Sequence, residues 1–383
     1  MRLWYTKTIL GRLPRIIINT KSFSNSPSHP ELIVERTKSG KKVLTLNRPK
    51  RLNALSVDMV RRMRNELETE NSRSVPYNLV IVQGAGEKAF SAGGDVAAAS
   101  MSYKAKTGDY RDFFHTQYQL EYLIGKLKVP FVALIDGITM GAGCGLSVHG
   151  QFRVATERTI MAMPETALGF FPDAGATYFF PRLSGKLGLF LGLTGYRLSG
   201  ADAFHSGLAT HYVESKNLGA LTQALLKLPW EKCDKENVDK LLKAFQSHRI
   251  PASSVQPLIN EINHYFNAPN LEGIFKNLEA GQTEFSMKTL SVLRKMSPTS
   301  LKIFFRQYKL GSTMEFADVF PVEFRLSQRL LQENDFHEGC RAILIDKDRN
   351  PKWSLSCIEE ITEEKIDWYF SPFDNSKEEL ILH

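Results

Sequence analysis

Along this 383-residue chain, the pattern of hydrophobic and polar positions changes character near residue 215. Before that point, short apolar runs alternate with turns and amphipathic stretches. Leu32–Thr37 and Lys42–Leu46 read as two strands flanking a Lys-Ser-Gly turn, which predicts a hairpin. Pro49 blocks continued pairing, and Ser56 is placed to cap a helix running to about Thr69. Leu79–Gln83 is a strand that leads to a first glycine-rich turn, KAFSAGGD (Lys88–Asp95). A helix over Asp109–Leu127 precedes FVALID from Phe131, whose length and β-branched content predict a buried strand. That strand opens on a second turn of small residues, Gly137, Gly141, Ala142, Gly143 and Gly145, and then a helical LSVHG. Pro181–Gly207 looks helical with short breaks, and Thr210–Val213 is a short strand. From about Leu218 only helical periodicity remains, in segments such as Leu221–Leu228, Val238–Phe245, Phe285–Met296, Ser300–Leu310 and Met314–Leu331. Strand, small-residue turn and helix in repetition predict an α/β core over residues 31–215, with a helical region over 216–383.

A strand feeding a glycine-rich turn at a helix start leaves backbone N–H groups unpaired and aimed outward, where negative charge is stabilised. The chain has two such turns. Beyond the second lie Glu165, in Pro-Glu-Thr-Ala, and Asp173, in Phe-Phe-Pro-Asp-Ala-Gly. Donors on one side and acids on the other outline a site for carbonyl chemistry. Taken alone, each acid also reads as a helix cap or first-turn residue. The apolar residues between them, including Leu168, Phe170 and Phe171, would raise a carboxyl pKa, as general acids and bases need. Other signatures fail. GLSVHG has its second glycine one residue too late for a nucleophile elbow, so Ser147 packs in a helix and His149 is a polar surface or hydrogen-bonded residue. GAGCG lacks the third glycine of a dinucleotide fingerprint, and no phosphate-loop or H-E-x-x-H motif occurs. The basic run Arg48, Lys50, Arg51 could meet a phosphate or be a solvated turn.

Composition narrows the class. Hydrophobic residues make up 43% and charged residues 23%, as in ordinary globular proteins, and no uninterrupted apolar run is long enough to span a bilayer. Residues 1–30 contain five bases (Arg2, Lys7, Arg12, Arg15, Lys21) and no acid. Leu3, Trp4, Ile9, Leu10 and Leu13 would share a helical face, and a serine-rich tail follows. This is the pattern of a mitochondrial transit peptide; a basic arm is the alternative. Without those five bases, the net charge of +8 falls to about +3, so the charge argues for targeting and not for nucleic-acid binding. The four cysteines (Cys144, Cys233, Cys340, Cys357) are far apart, with no metal spacing. Cys144 reads as a small buried hydrophobe.

FSAGGD (Phe90–Asp95), GITMGAGCGLS (Gly137–Ser147) and MPETALGFFPDAG (Met163–Gly175), in this order and spacing, resemble the crotonase superfamily. RPKRLNAL (Arg48–Leu55) is similar to its early N-A-L signature. HGQFRVAT (His149–Thr156), SPTSLK (Ser297–Lys302) and NDFHEGCRAILIDKDRNPKW (Asn334–Trp353) narrow the resemblance to its 3-hydroxyisobutyryl-CoA hydrolase branch. The resemblance runs from about Glu31 to the C-terminus.

It implies a coiled β-β-α superhelix core and an oxyanion hole built from the N–H groups of Gly94 and Ala142, holding the oxygen of an acyl-CoA thioester. Glu165 matches the family's catalytic carboxylate and would attack the thioester or activate water. Asp173 matches its second acid and would orient water, contact the substrate hydroxyl or protonate the leaving thiolate. No metal or redox cofactor is implied; the partner is the acyl-CoA substrate, the site mitochondrial matrix, and the context valine breakdown. Enoyl-CoA hydratases carry a second catalytic glutamate where this chain has Gly145, which disfavours hydration. Two positions depart from the pattern. Ala142 replaces a glycine, which would be strained if the site needs positive φ. Gln117 stands where the branch has a substrate-contacting glutamate, and cannot carry charge. A hydratase or isomerase, and a non-catalytic component of a mitochondrial assembly such as the ribosome, are the competing readings.

Overall fold

Burial on both faces governs the strands. In the computed structural model, which describes residues 30–68 and 77–382, the strands are β1 (Leu32–Arg36), β2 (Lys41–Leu46), β3 (Leu79–Gly84), β4 (Ala89–Ser91) and β5 (Phe131–Ile135). They continue with β6 (Ile138–Met140), β7 (Phe152–Ala155), β8 (Ile160–Ala162), β9 (Leu198–Ser199) and β10 (His211–Tyr212). β5, the FVALI run, is buried throughout, and its side chains divide by parity. Phe131, Ala133 and Ile135 enter one hydrophobic cluster, Val132 and Leu134 another. Val80 and Val82 of β3 separate from Leu79 and Ile81 in the same way. A strand between two cores has no polar face, so it reads in the sequence as a continuous apolar run.

Each turn of the coil sends one strand to each of two sheets. The first sheet runs β1-β2-β3-β5-β7-β10, antiparallel at β1–β2 and parallel beyond; the second runs β4-β6-β8-β9. This is the expected β-β-α coil. The hairpin, the Asp109–Lys126 helix and the Ser56 cap on Met59 N–H (3.2 Å) all form. Within Pro181–Gly207, helices Leu187–Thr194 and Gly200–His205 are separated by β9, which pairs antiparallel with β8. Two residues are too few to show period-two alternation, so that strand has no sequence signal. The N-terminal targeting segment lies outside the described residues.

The helices that follow Leu218 do two jobs. Leu221, Leu225, Val238 and Leu242 cover the outer face of the first sheet. Helices Pro298–Gly311, Phe316–Leu330 and Asn334–Cys340 return to Glu165–Thr177. The backbones meet there: a Cβ at Gly339 would lie 2.3 Å from Leu168 C and O, and one at Gly169 would lie 2.2 Å from Asp335 O. Ser297, the cap of its helix, accepts from Ser300 N–H and donates to Asp335 Oδ2 at 2.8 Å, while its own N–H donates to Thr166 O at 3.1 Å. The SPTSLK and NDFHEG motifs therefore hold the turn that starts at Glu165.

Gly339→Ala should force this contact apart and lower unfolding stability by about 1–3 kcal/mol. Gly219→Ala, with nothing within 4 Å of the new methyl on an exposed helix, should leave stability unchanged or raise it by up to about 1 kcal/mol. Denaturant unfolding of the two variants beside the parent checks both outcomes, and equal effects would contradict the packing account.

Candidate active site

The two glycine turns abut. A Cβ at Gly93, where φ is 98°, would stand 2.9 Å from Met140 O and 3.4 Å from Ala142 N. Only glycine permits this approach, and it brings Gly94 beside the start of the Ala142–Val148 helix. Neither the Gly94 nor the Ala142 N–H donates to an acceptor among the described residues. The left-handed backbone falls on Gly141 (φ 53°), and Ala142 is not among the residues with positive φ. The strain that alanine would suffer there does not arise, because it enters as the first residue of the helix.

Glu165 opens a short 3-10 turn after β8 and is buried without capping anything. Its Oε1 packs so close to Gly141 that a Cβ there would lie 2.7 Å from it, and its Oε2 is buried with no hydrogen-bond partner among the described residues. Asp173 is also buried and accepts from the Tyr118 hydroxyl at 3.0 Å. The next residue, Ala174, holds φ 57°, a conformation costly for a residue with a Cβ. Its neighbours secure it. His149 Nε2 hydrogen-bonds Ala174 O at 2.8 Å, and Glu323 accepts from Gly175 N–H (2.8 Å), Thr177 N–H (3.1 Å) and the Thr177 hydroxyl (2.6 Å). Gln307 donates to Pro172 O at 2.7 Å. The C-terminal helices thus hold both acids, Glu165 through Asp335 and Asp173 through Glu323 and Gln307.

Four carboxyls crowd this region: Glu121, Glu165, Asp173 and Glu323. None forms a salt bridge among the described residues. Burial raises each pKa, and the charge of Asp173 raises the other three further. Glu323 is pushed up to about 8. Asp173 reaches about 7, held from going higher by hydrogen bonds from Tyr118 and Gln117. Glu165 is raised well above the ordinary carboxylate range, first by burial and then by the Asp173 charge, so the two acids titrate as a pair. Cys144, buried with Sγ on Thr139 O and Ala162 O, has its thiol pKa raised well above the ordinary range and is no nucleophile. His149 is half-buried and hydrogen-bonded, its pKa lowered to about 4 chiefly by desolvation. The basic run is occupied at Arg48, which pairs with Glu31 and Asp95, and at Arg51, which pairs with Asp95.

Residues 41–370 match the family described as enoyl-CoA hydratase/isomerase. The chain belongs to that family. Within the enoyl-CoA hydratase/isomerase family, it is similar to the mitochondrial 3-hydroxyisobutyryl-CoA hydrolases of Gallus gallus (44% identity over 96% of this chain and 95% of the other) and Xenopus laevis (48% over 86% of each). The Homo sapiens protein of the same name is 43% identical over 95% of each chain. Among solved structures, a carnitinyl-CoA dehydratase from Mycobacterium thermoresistibile superposes with TM-score 0.82 at 35% identity, covering 90% of this chain and 98% of the other. An enoyl-CoA hydratase from Rhodobacter sphaeroides gives 0.81 at 30%, covering 92% and 100%.

The structure brings together every site residue expected from the sequence: Gly94, Gln117, Ala142, Glu165 and Asp173. It adds Tyr118, Glu121, Gln307 and Glu323. Their only sequence signal is polarity at helix positions that, by spacing from Phe114, Ile124, Phe304 and Phe320, lie on apolar faces.

The folded protein keeps protons on these acids at pH values where the unfolded chain has lost them. Stability should therefore fall as pH rises from the ordinary carboxylate range through the folded values near 7 and 8. His149 acts oppositely, but only below its ordinary value of 6.5. Between about pH 6.5 and 8.5 the acids dominate, and the thermal midpoint should drop; a flat or rising midpoint would refute the assignment.

Proposed function

We propose that this protein hydrolyses the thioester of 3-hydroxyisobutyryl-CoA to the free acid and CoA, and acts on 3-hydroxypropionyl-CoA by the same route. One observation carries the reading: an unpartnered, buried Glu165 oxygen beside two abutting turns with unengaged N–H groups. The Gly94 and Ala142 N–H groups would receive the thioester oxygen as it gains charge, an effect of roughly 3 kcal/mol for each well-placed donor. Glu165 stands against Gly141, next to one of those donors, so it would face the carbon of a carbonyl held there. Two routes share this geometry. Direct attack gives a mixed anhydride that water then cleaves; general-base attack adds water in one step. In both, the tetrahedral oxyanion collapses, the C–S bond breaks, and the thiolate takes a proton. An acid pair holding one proton between its members supplies both a base and an acid near neutral pH.

The hydrolase relatives favour this reaction over hydration, and so does Gly145. A Cβ there would lie 2.5 Å from Glu121 Oε1 and 2.7 Å from Ala174 Cβ, leaving no room for a glutamate on that helix. The relatives are named mitochondrial, and the basic, acid-free residues 1–30 support import into the matrix. Valine breakdown supplies such a substrate there.

Glu165→Ala should retain its fold and lose about 10³-fold or more in kcat, measured as thiol release from 3-hydroxyisobutyryl-CoA. Normal kcat in that variant would remove Glu165 from the mechanism. In the parent, kcat/KM should rise with pH through an apparent pKa near 7 and fall again at high pH. Asp173→Asn removes the charge that raises Glu165, so its acidic limb should move to lower pH while the rate falls. An unmoved limb would uncouple the two acids.

A further inference from the structure

Gln117 and Glu121 lie one turn apart on the Asp109–Lys126 helix, both almost wholly buried, at 1% and 0% exposure. Gln117 Nε2 donates to Glu121 Oε1 at 3.1 Å. The other oxygen of each, Gln117 Oε1 and Glu121 Oε2, is buried with no hydrogen-bond partner among the described residues. Their positions are fixed at both ends. Gln117 Oε1 lies 3.8 Å from where a Cβ at Gly94 would stand, next to one N–H proposed for the thioester oxygen. Glu121 Oε1 lies 2.5 Å from the corresponding point at Gly145, beside Ala174. The pair therefore forms a polar wall from the Gly94 turn to the Asp173–Ala174 corner.

An orphaned amide oxygen can only accept. A carboxyl that faces Asp173 and Glu323, with no salt-bridge partner among the described residues, keeps its proton and so can donate. One acceptor and one donor side by side are the complement of an alcohol, which donates once and accepts. Buried polar groups left unpaired are the exception in folded proteins and call for a ligand or a role.

Resting on the thioesterase reading above, we propose that Glu121 is a further specificity-determining residue of this site: its carboxyl holds the Gln117 amide so that Gln117 Oε1 accepts from the acyl group's hydroxyl, and its own O–H donates to that hydroxyl. Acyl groups without a hydroxyl are disfavoured because they leave both oxygens unpaired. The carboxyl that Gln117 lacks has been restored one helical turn later.

The test compares kcat/KM for 3-hydroxyisobutyryl-CoA and isobutyryl-CoA, which share a carbon skeleton and differ in the hydroxyl. Sites built to hydrogen-bond a substrate hydroxyl reject the analogue without it by on the order of 10⁴-fold. The parent should show a preference of that kind. Glu121→Met should reduce the ratio at least about tenfold, chiefly through a higher KM for the hydroxylated substrate, and Gln117→Met should do the same. Glu121→Gln can still accept from Gln117 and donate an N–H, so it should keep most of the ratio. It also keeps the proposal falsifiable if the methionine variants do not fold: loss of the hydroxyl preference in Glu121→Gln would overturn it. An unchanged ratio in folded Glu121→Met overturns the specificity role alone. No thiol release from either substrate by the parent overturns the thioesterase reading and this inference with it. Hydration of crotonyl-CoA by the parent that Glu121→Met abolishes would assign the carboxyl to proton transfer instead, and also overturns it.

Discussion

A carboxyl buried among apolar groups without a cation keeps its charge only where dipoles or hydrogen bonds support it, and otherwise keeps its proton. That constraint organises this molecule. Glu165, Asp173, Glu121 and Glu323 share one region, and none has a salt-bridge partner among the described residues. Their environments separate them. Asp173 has the Tyr118 hydroxyl to support its charge; Glu165 has a free oxygen and the neighbouring Asp173 charge, which raises it further. A cation in the site would favour the ionised acids and leave fewer protons to donate. The protein accepts a stability cost that grows with pH, and the chemistry proposed for the site needs that same uneven proton distribution.

Such crowding has to be enforced from outside the segment that carries the acids. The enforcement comes from helices more than a hundred residues later. Asp335, fixed by Ser297 and by Ser354 N–H (2.7 Å), docks against the Glu165 turn. Glu323 and Gln307 hold the backbone around Asp173. Ala174 remains in a left-handed conformation because its carbonyl and the following N–H groups are all engaged. Strain at such a residue persists when its surroundings over-determine it. The C-terminal helices are therefore part of the active-site scaffold, and the sheets alone would leave the two acids unsupported.

The sequence shows β1, β2, β3, β5, β10 and most of the helices, because their apolar runs are distinct and the turns between them are rich in glycine. It shows the site residues that lie in those turns for the same reason. Gly93 marks a place where backbone meets backbone, and Gly94 and Gly141 mark places where the Phe113 ring and the Glu165 carboxyl leave no room for a Cβ, a requirement visible as a local cluster. β4, β6, β8 and β9 escape because two or three residues cannot display a period, and the four residues of β7 lie inside HGQFRVAT, which stands out only as a motif. Tyr118, Glu121, Gln307 and Glu323 escape for a different reason. A lone polar residue on a helix reads as solvated unless its neighbours reveal that it points inward, and the partners that decide this, such as Thr177 for Glu323, are far away in the chain. The concern over Ala142 has the same origin: sequence locates the turn but does not say which of its residues carries the positive φ, and here that residue is Gly141.

Gln117 illustrates what a position-by-position reading misses. By itself it is a lost carboxylate in a place where the resemblance expects one. With Glu121 in view, the helix carries an amide and a carboxyl four residues apart on one buried face, joined by a hydrogen bond. Moving a carboxyl by one turn advances it about 5.4 Å along the helix axis without rotating it far from the original face. The space it moves into exists because residue 145 has no side chain. Gly145 and Glu121 are thus two sides of one packing solution: a glutamate at 145 would exclude the Glu121 carboxyl, and the Glu121 carboxyl excludes any side chain at 145. The acid at this end of the site is delivered by one helix or by the other, and the choice of helix determines whether it approaches alone or bound to the amide of Gln117.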